Sequence, residues 1–116
     1  MAVGLGEVLA SATLLGTPYR MVCDKISGES RILAFANFSC ALRPDVAGGT
    51  STARVRYSEM PLSRDLQVAA ALGKRLAALA RLIEEEFGSP QDIEGAIVGD
   101  RMYLVQSRPQ QGLGTA

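Results

Sequence analysis

The sequence predicts an α+β fold in which an antiparallel sheet of about five strands packs against one long helix. Two observations lead to this prediction. Leucines recur at three- and four-residue spacing between positions 64 and 87, and short β-type segments stand on either side of that stretch. The chain has 116 residues, enough for one domain or part of one, and its 47% hydrophobic and 21% charged residues predict a packed core.

The first half of the chain predicts three strands. Residues 18–23 and 31–37 have β-type composition, and the polar, glycine-containing segment between them suits a hairpin loop. Residues 53–59 alternate apolar and polar side chains, which predicts a third, half-buried strand. The preceding residues 44–52 are rich in Gly, Pro, Asp and Thr and predict an exposed loop. Residues 8–12 predict a short strand or a helical start.

The long helix is predicted over residues 64–87. Ser63 is placed to cap its first turn, and Gly88 and Pro90 are placed to end it. Gly73 predicts close packing against a strand. The apolar stripe that defines the buried face consists of Leu72, Leu76, Leu79, Ile83 and Phe87.

A final hairpin is predicted from two strands, residues 92–98 and 102–107. A three-residue loop, Gly99 to Arg101, would place Glu94 opposite Gln106 and the two flanking polar residues, at 92 and 108, opposite each other on the same face. A two-residue Gly99-Asp100 turn would send Gln106 to the other face, unless a bulge restored the register.

That face would carry the chemistry of a metal and nucleotide site. A carboxylate from Glu94 and an amide oxygen from Gln106 are hard ligands suited to Mg²⁺, which also accepts phosphate oxygens. The planar guanidinium of Arg108 matches phosphate oxygens, and Asp92 is placed to orient either the arginine or a metal-bound water. The spacing fits equally well a structural hairpin braced by a surface ion pair between Glu94 and Arg108, worth about 0–1 kcal/mol.

Composition excludes several other functions. The chain has no histidine, so it lacks the commonest general base and the usual carrier of a transferred phosphoryl group. Twelve basic residues balance twelve acidic ones, which gives no bulk attraction to nucleic acid or to an anionic membrane. Cys23 and Cys40 have no metal-ligand spacing and are predicted to be reduced structural thiols. The sequence contains neither an apolar run of membrane-spanning length nor a recognisable leader, and we expect it to be a piece of a longer protein.

Three segments together carry a family resemblance: Gly4-Leu5-Gly6-Glu7, Gln91-Asp92-Ile93-Glu94 and Val105-Gln106-Ser107-Arg108-Pro109-Gln110. At this separation they resemble the end of the ATP-grasp nucleotide-binding domain of dikinases, which pyruvate, phosphate dikinases and phosphoenolpyruvate synthases share. The resemblance implies that residues 1–116 form a C-terminal ATP-grasp subdomain fragment. It runs over nearly the whole chain.

Two further segments narrow the resemblance. Gly16-Thr17-Pro18 and Leu33 to Ser39 are similar to the phosphoglucan, water dikinases of plants and algae. This similarity implies a plastid enzyme of starch metabolism that passes the β-phosphoryl group of ATP through a phosphohistidine to a glucosyl hydroxyl. The γ-phosphate goes to water.

By position, the resemblance makes Glu94 and Gln106 metal and phosphate ligands, Arg108 a phosphate-contacting arginine and Asp92 its neighbouring acid. Glu7 is a weaker match among the ATP-binding residues. The implied ligands are Mg²⁺ and ATP, and starch would bind through domains outside this sequence. No catalytic residue is expected within it, because the phosphohistidine and the first ATP-grasp subdomain are missing, so we expect the piece alone to be inactive.

Two alternatives stay open from the sequence. The same ATP chemistry fits an enzyme with pyruvate as acceptor, which a carbohydrate-binding module elsewhere in the protein would exclude. The sequence ends soon after Gln110, and we expect this to favour glucan over pyruvate as the acceptor, because this domain is the last one in glucan dikinases. The other alternative is a non-catalytic domain in which the same polar residues only brace a sheet.

Overall fold

The computed structural model describes residues 1–4, 9 and 15–112. Their order is β1 (Arg20–Cys23), β2 (Ser30–Ala34), β3 (Cys40–Pro44), β4 (Thr50–Arg54), a 3-10 turn (Tyr57–Glu59), α1 (Pro61–Arg64), α2 (Leu66–Phe87), β5 (Gln91–Val98) and β6 (Arg101–Pro109). The predicted α+β class with antiparallel pairing and one long helix is confirmed. The prediction for residues 8–12 lies outside the described residues, apart from Leu9.

The prediction of one sheet of about five strands is wrong. The six strands form three separate two-stranded antiparallel sheets, each made from consecutive strands. Each hairpin is joined by a local turn, and α2 contacts β1, β2 and β5. The helix therefore connects the first and last hairpins.

The turn between β1 and β2 is built around Asp24. Its carboxylate accepts hydrogen bonds from the backbone amides of Ile26 and Ser27, each at 2.8 Å, and Gly28 follows with φ of +77°. The amide donors, Ser27 first and then Ile26, lower the pKa of the Asp24 carboxyl. This local geometry is the hairpin loop that the sequence predicted.

The predictions for residues 44–59 need correction. β3 ends at Pro44, where the loop was predicted to begin, β4 spans the boundary between the predicted loop and the predicted third strand, and residues 57–59 form a 3-10 turn. The connection is the short turn 45–49, in which Asp45 accepts a hydrogen bond from the Ala47 amide and Gly48 and Gly49 both have positive φ. Because glycine adopts such φ values without steric cost, the chain reverses early and the polar residues 50–52 pair as a strand.

The aromatic core lies beside β1 and the 3-10 turn. Tyr19, Ala36, Phe38 and Tyr57 form a buried cluster, with the Tyr19 and Tyr57 rings in an edge-to-face contact at 5.6 Å between centroids. The Tyr57 hydroxyl accepts a hydrogen bond from the Val3 amide at 2.8 Å. This core is therefore formed chiefly by segments outside the regular strands.

Helix α2 begins two residues later than predicted. Its N-cap is Asp65, whose carboxylate accepts a hydrogen bond from the Gln67 amide at 2.9 Å, and not Ser63. Ser63 lies in the separate short helix α1, where its hydroxyl is hydrogen-bonded to the Tyr19 hydroxyl. Asp65 has extended backbone angles, so the chain bends between the two helices. The predicted end at Gly88, with φ of +74°, is confirmed.

The buried stripe of α2 consists mainly of small residues, namely Ala69, Gly73, Ala77 and Ile83. The predicted leucines at 72, 76 and 79 are half-buried beside it, and Phe87 is exposed. A methyl group added at Gly73 would lie 2.4 Å from the Ser30 side chain and 3.5 Å from the Cys23 sulfur. The predicted close approach of Gly73 to a strand is confirmed.

Both cysteines are free thiols and half-buried, as predicted for structural residues. Burial raises the pKa of the Cys23 thiol, which keeps it protonated near neutral pH. None of the helices in the described part of the chain combines the length and apolar character needed to cross a bilayer.

Candidate nucleotide site

The candidate site lies on the hairpin formed by β5 and β6. In the observed register Asp92 is opposite Arg108, and Glu94 is opposite Gln106. Residues directly opposite each other in an antiparallel pair share a face, with Cβ atoms about 4.5–5.5 Å apart. The predicted pairing of these four residues is confirmed, and the antiparallel pairing of β5 with β6 fixes the positions of their backbones.

The prediction that a three-residue loop, Gly99 to Arg101, produces this pairing is wrong. Val98 pairs with Arg101, so the turn contains only Gly99 and Asp100. A two-residue turn alone would have placed Glu94 opposite Val105. The register instead shifts between Glu94 and Gly95, where Val105 is the extra residue of a β-bulge, and this shift returns Gln106 to the face of Glu94.

Gly95 permits the bulge. It pairs with Leu104, and a methyl group added at Gly95 would lie 2.4 Å from the backbone oxygen of Tyr103. No side chain tolerates such an overlap with a backbone atom. Sequence reasoning missed this residue, although a single glycine inside a strand is a known signal for a bulge.

The base of the hairpin is fixed by hydrogen bonds that do not use the candidate ligands. The Ser107 hydroxyl donates to the Gln91 side-chain oxygen at 3.0 Å, and the Gln110 amide donates to the Pro90 carbonyl at 2.9 Å. At the other end, the Arg75 guanidinium donates to the Asp100 carbonyl at 2.6 Å and ties the turn to α2. The hairpin is thus held at both ends.

The four polar side chains remain accessible. Arg108 and Asp92 are 3.7 Å apart, with exposed side-chain fractions of 63% and 44%, so solvent screens this ion pair. Glu94 and Gln106 are both exposed, and no ion pair within the described residues engages Glu94. The carboxylate and the amide therefore have free oxygens to offer a ligand.

The donor set fits a hard cation that also binds phosphate. Glu94 and Gln106 supply one carboxylate and one neutral oxygen, which leaves most positions of a Mg²⁺ ion for water and phosphate oxygens. In the part of the chain that the structure describes, no group of three or more His, Cys, Asp or Glu residues is placed to hold a metal by itself. Glu7, the weaker predicted ATP-binding residue, lies outside the described residues.

Comparison with protein families gives a match to the pyruvate phosphate dikinase AMP/ATP-binding domain over residues 21–116, which include all four hairpin residues. Rifampicin phosphotransferase from Bacillus cereus is 34% identical over 108 residues, covering 91% of this chain and 11% of the relative. A probable phosphoenolpyruvate synthase from Archaeoglobus fulgidus is 30% identical over 114 residues, covering 91% of this chain and 13% of the relative.

A third relative, alpha-glucan water dikinase 2 from Arabidopsis thaliana, is 43% identical over 56 residues, covering 48% of this chain and 4% of the relative. The chain thus spans a small part of the length of the curated relatives it matches. The family match covers most of the chain, and it agrees with the polar hairpin at its end. The chain belongs to the family of the pyruvate phosphate dikinase AMP/ATP-binding domain.

Proposed function

We propose that the β5–β6 hairpin is one wall of the ATP site of a dikinase-type phosphotransferase, where it binds the phosphates of Mg·ATP. The observation that supports this proposal is the pairing of Glu94 with Gln106 beside Asp92 and Arg108 on one accessible face. A purely structural role would be met by the Asp92–Arg108 ion pair alone. Binding a metal triphosphate uses this pair for phosphate and the Glu94–Gln106 pair for the metal.

Each residue has a distinct role in this proposal. Glu94 and Gln106 hold Mg²⁺, which neutralises phosphate charge and orients the phosphates for transfer. Arg108 donates to phosphate oxygens from its planar fork, and Asp92 keeps the fork directed along the hairpin. Catalysis of phosphoryl transfer depends mainly on such positioning and charge neutralisation, so this wall needs no nucleophile of its own. In this proposal Glu7 remains a candidate contact to ATP.

For the acceptor, we propose a phosphoglucan, phosphorylated through a phosphohistidine elsewhere in the protein, with water taking the γ-phosphate. The motifs around residues 16–18 and 33–39 support it, as does the similarity to alpha-glucan water dikinases from Arabidopsis thaliana and, at 41% identity over 56 residues, from Solanum tuberosum. The potato relative is described as chloroplastic, which supports a plastid location.

A second candidate acceptor is pyruvate, as in phosphoenolpyruvate synthases. The similarity to the Archaeoglobus fulgidus relative covers 91% of this chain, compared with 48% for the glucan dikinase from Arabidopsis thaliana. The similarity to rifampicin phosphotransferases covers 91% as well, so rifampicin belongs among the acceptors to be tested.

The ATP-site proposal is tested by substituting the hairpin residues in the full-length enzyme. Glu94→Gln removes the negative charge of a metal ligand, and Arg108→Ala removes the guanidinium that binds phosphate. Hydrogen bonds to charged groups contribute about 1.5–3 kcal/mol each. We expect each variant to form phosphohistidine from ATP at least tenfold more slowly, measured with ATP labelled at the β-phosphate. Glucan binding should not change.

Matched controls are available on α2. Glu86→Gln and Arg81→Ala make the same chemical changes at exposed helix positions and should leave the labelling rate unchanged. Normal phosphohistidine formation in both hairpin variants would show that the hairpin is only structural.

The acceptor is identified separately, by supplying the labelled full-length enzyme with phosphorylated glucan, unphosphorylated glucan, pyruvate or rifampicin. Transfer to pyruvate or rifampicin alone would overturn the phosphoglucan proposal.

A further inference from the structure

The β-bulge has a second effect on the candidate site, at Tyr103. Ala96 pairs with Tyr103, and Ala96 is two residues beyond Glu94 on β5. Because alternate residues of a strand share a face, Tyr103 lies on the same face as Glu94. Gln106 and Arg108 reach this face only after the extra residue at position 105. With a three-residue turn and no bulge, Tyr103 would face away from them.

Tyr103 is well placed for a ligand contact. Its side chain is 50% exposed, and the residue opposite it, Ala96, is too small to cover the ring. The opposite face of the hairpin carries Met102 and Ser107, both half-buried. The ring of Tyr103 thus stands over the open face, without a bulky cross-strand neighbour.

The position along the strand also fits a nucleotide. Glu94 and Ala96 are separated by about 7 Å at the usual rise per residue, so Tyr103 lies roughly that far along the face from the proposed metal ligands. A nucleotide whose β- and γ-phosphates lie at Glu94 and Gln106 has its α-phosphate, ribose and base on one side of them. Towards Asp92 and Arg108 the face is charged, whereas in the other direction the adjacent pair, Ala96 and Tyr103, is apolar and aromatic, and Arg101 follows only at the turn.

We propose that Tyr103 contacts the nucleoside part of ATP and stacks against the base, so that one face of the hairpin contacts the nucleotide from its phosphates to its base. This inference rests on the proposed ATP site. It assigns the charged part of the face, at Asp92 and Arg108, to the phosphates and the part at Ala96 and Tyr103 to the nucleoside. Aromatic rings stack on bases without regard to hydrogen-bond pattern, so Tyr103 contributes affinity for a purine nucleotide more than choice between purines.

The test compares two ligands in the full-length enzyme, Mg·ATP and Mg·tripolyphosphate, which has the phosphates but no nucleoside. We expect Tyr103→Ala to weaken binding of Mg·ATP roughly tenfold, a loss within the range of base-aromatic stacking. Binding of Mg·tripolyphosphate should stay unchanged. Tyr103→Phe keeps the ring and should bind both ligands like the wild type.

Leu104→Ala is the matched control, because Leu104 neighbours Tyr103 and is exposed to a similar degree, 47%, but pairs with Gly95 on the opposite face. It should change neither affinity. Equal weakening of both ligands by Tyr103→Ala would mean that the ring only supports the hairpin, and unchanged ATP affinity would mean that it touches no nucleoside. Either result overturns the inference.

Glu94→Gln separates this inference from the proposed function on which it rests. It should weaken Mg·ATP and Mg·tripolyphosphate alike, because both present phosphates to the metal. If Glu94→Gln weakens both and Tyr103→Ala weakens neither, the ATP site stands and the nucleoside contact fails. If Glu94→Gln changes neither affinity, the proposed ATP site fails, and the Tyr103 inference fails with it.

Discussion

At the scale of single residues, the candidate site depends on a glycine that carries no chemistry. Gly95 lies where the register shifts, and a side chain there would overlap the Tyr103 carbonyl oxygen. The bulge is what places Gln106 opposite Glu94. The polar residues supply the functional groups, and Gly95 supplies the register that brings them to one face.

We therefore expect Gly95→Ala to damage the site more than the fold. The new methyl group must push the two strands apart or remove the bulge, and overpacking of this kind typically costs about 1–3 kcal/mol. In the full-length enzyme, phosphohistidine formation should fall at least tenfold, while thermal unfolding of the ATP-binding domain shifts by only a few degrees. Gly95 is not among the glycines with positive φ, so the overlap with the Tyr103 oxygen is the cost under test, whereas Gly48→Ala, at φ of +99° with no atom within 4 Å of the added methyl group, measures the cost of strained backbone alone. Wild-type activity in Gly95→Ala would contradict this account.

At the scale of elements, α2 is held by small residues rather than by its leucines. Ala69, Gly73 and Ala77 recur every four residues and form most of the buried stripe. Small side chains let a helix backbone approach a strand closely, and Gly73 does so against Ser30 at the start of β2. The ion pair between Lys25 and Glu84 also links the β1–β2 turn to the helix, but both side chains are partly exposed and it contributes little.

Gly73→Ala should accordingly destabilise the domain although alanine is the better helix former. Alanine favours a helix by about 1 kcal/mol over glycine, whereas the added methyl group overlaps both Cβ and Oγ of Ser30, and overpacking costs about 1–3 kcal/mol. We expect a lower midpoint in chemical unfolding. Ser30→Gly removes both clashing atoms, so the double variant should recover much of the loss. Equal destabilisation of Gly73→Ala with and without Ser30→Gly would place the cause elsewhere.

At the scale of the whole molecule, the described chain buries few large side chains and leaves apolar ones exposed. Its radius of gyration is 15.4 Å, larger than the roughly 13 Å typical of a compact domain of this length. Exposed apolar residues include Phe35 directly after β2, Phe87 at the end of α2 and Val105 beside the candidate site. The hairpin face is thus open to solvent, and a ligand on it would be covered from one side only.

This openness leads to a prediction about the isolated chain. Electrostatic contacts to phosphate are strong in sites that exclude water, and one exposed wall does not exclude it. We expect residues 1–116 alone to bind Mg·ATP weakly or not at all in calorimetric titration, under conditions where circular dichroism shows the helix to be formed. The full-length enzyme, titrated in parallel, is the control. Micromolar affinity of the isolated chain would prove this prediction wrong.

Local patterns in the sequence were sufficient for much of this structure. The helix, its end at Gly88, the first hairpin and the final strand pair all follow from periodicity and turn residues, which act over a few neighbours. The four polar residues of the hairpin were likewise identified by their spacing and by family resemblance. The helix start was misplaced because Ser63 and Asp65 are both good caps, and the backbone bend at Asp65 decides between them.

Tertiary structure decided what local patterns leave open. The strands divide into three separate pairs, because nothing in a strand's own sequence specifies which other strand it joins. The small-residue stripe of α2 depends on how the helix backbone meets the strands in space. The sequence by itself determined that Glu94, Gln106, Asp92 and Arg108 are the polar groups of the last hairpin. Only the contact between Gly95 and the Tyr103 carbonyl, which permits the bulge, decided that they share one face with Tyr103.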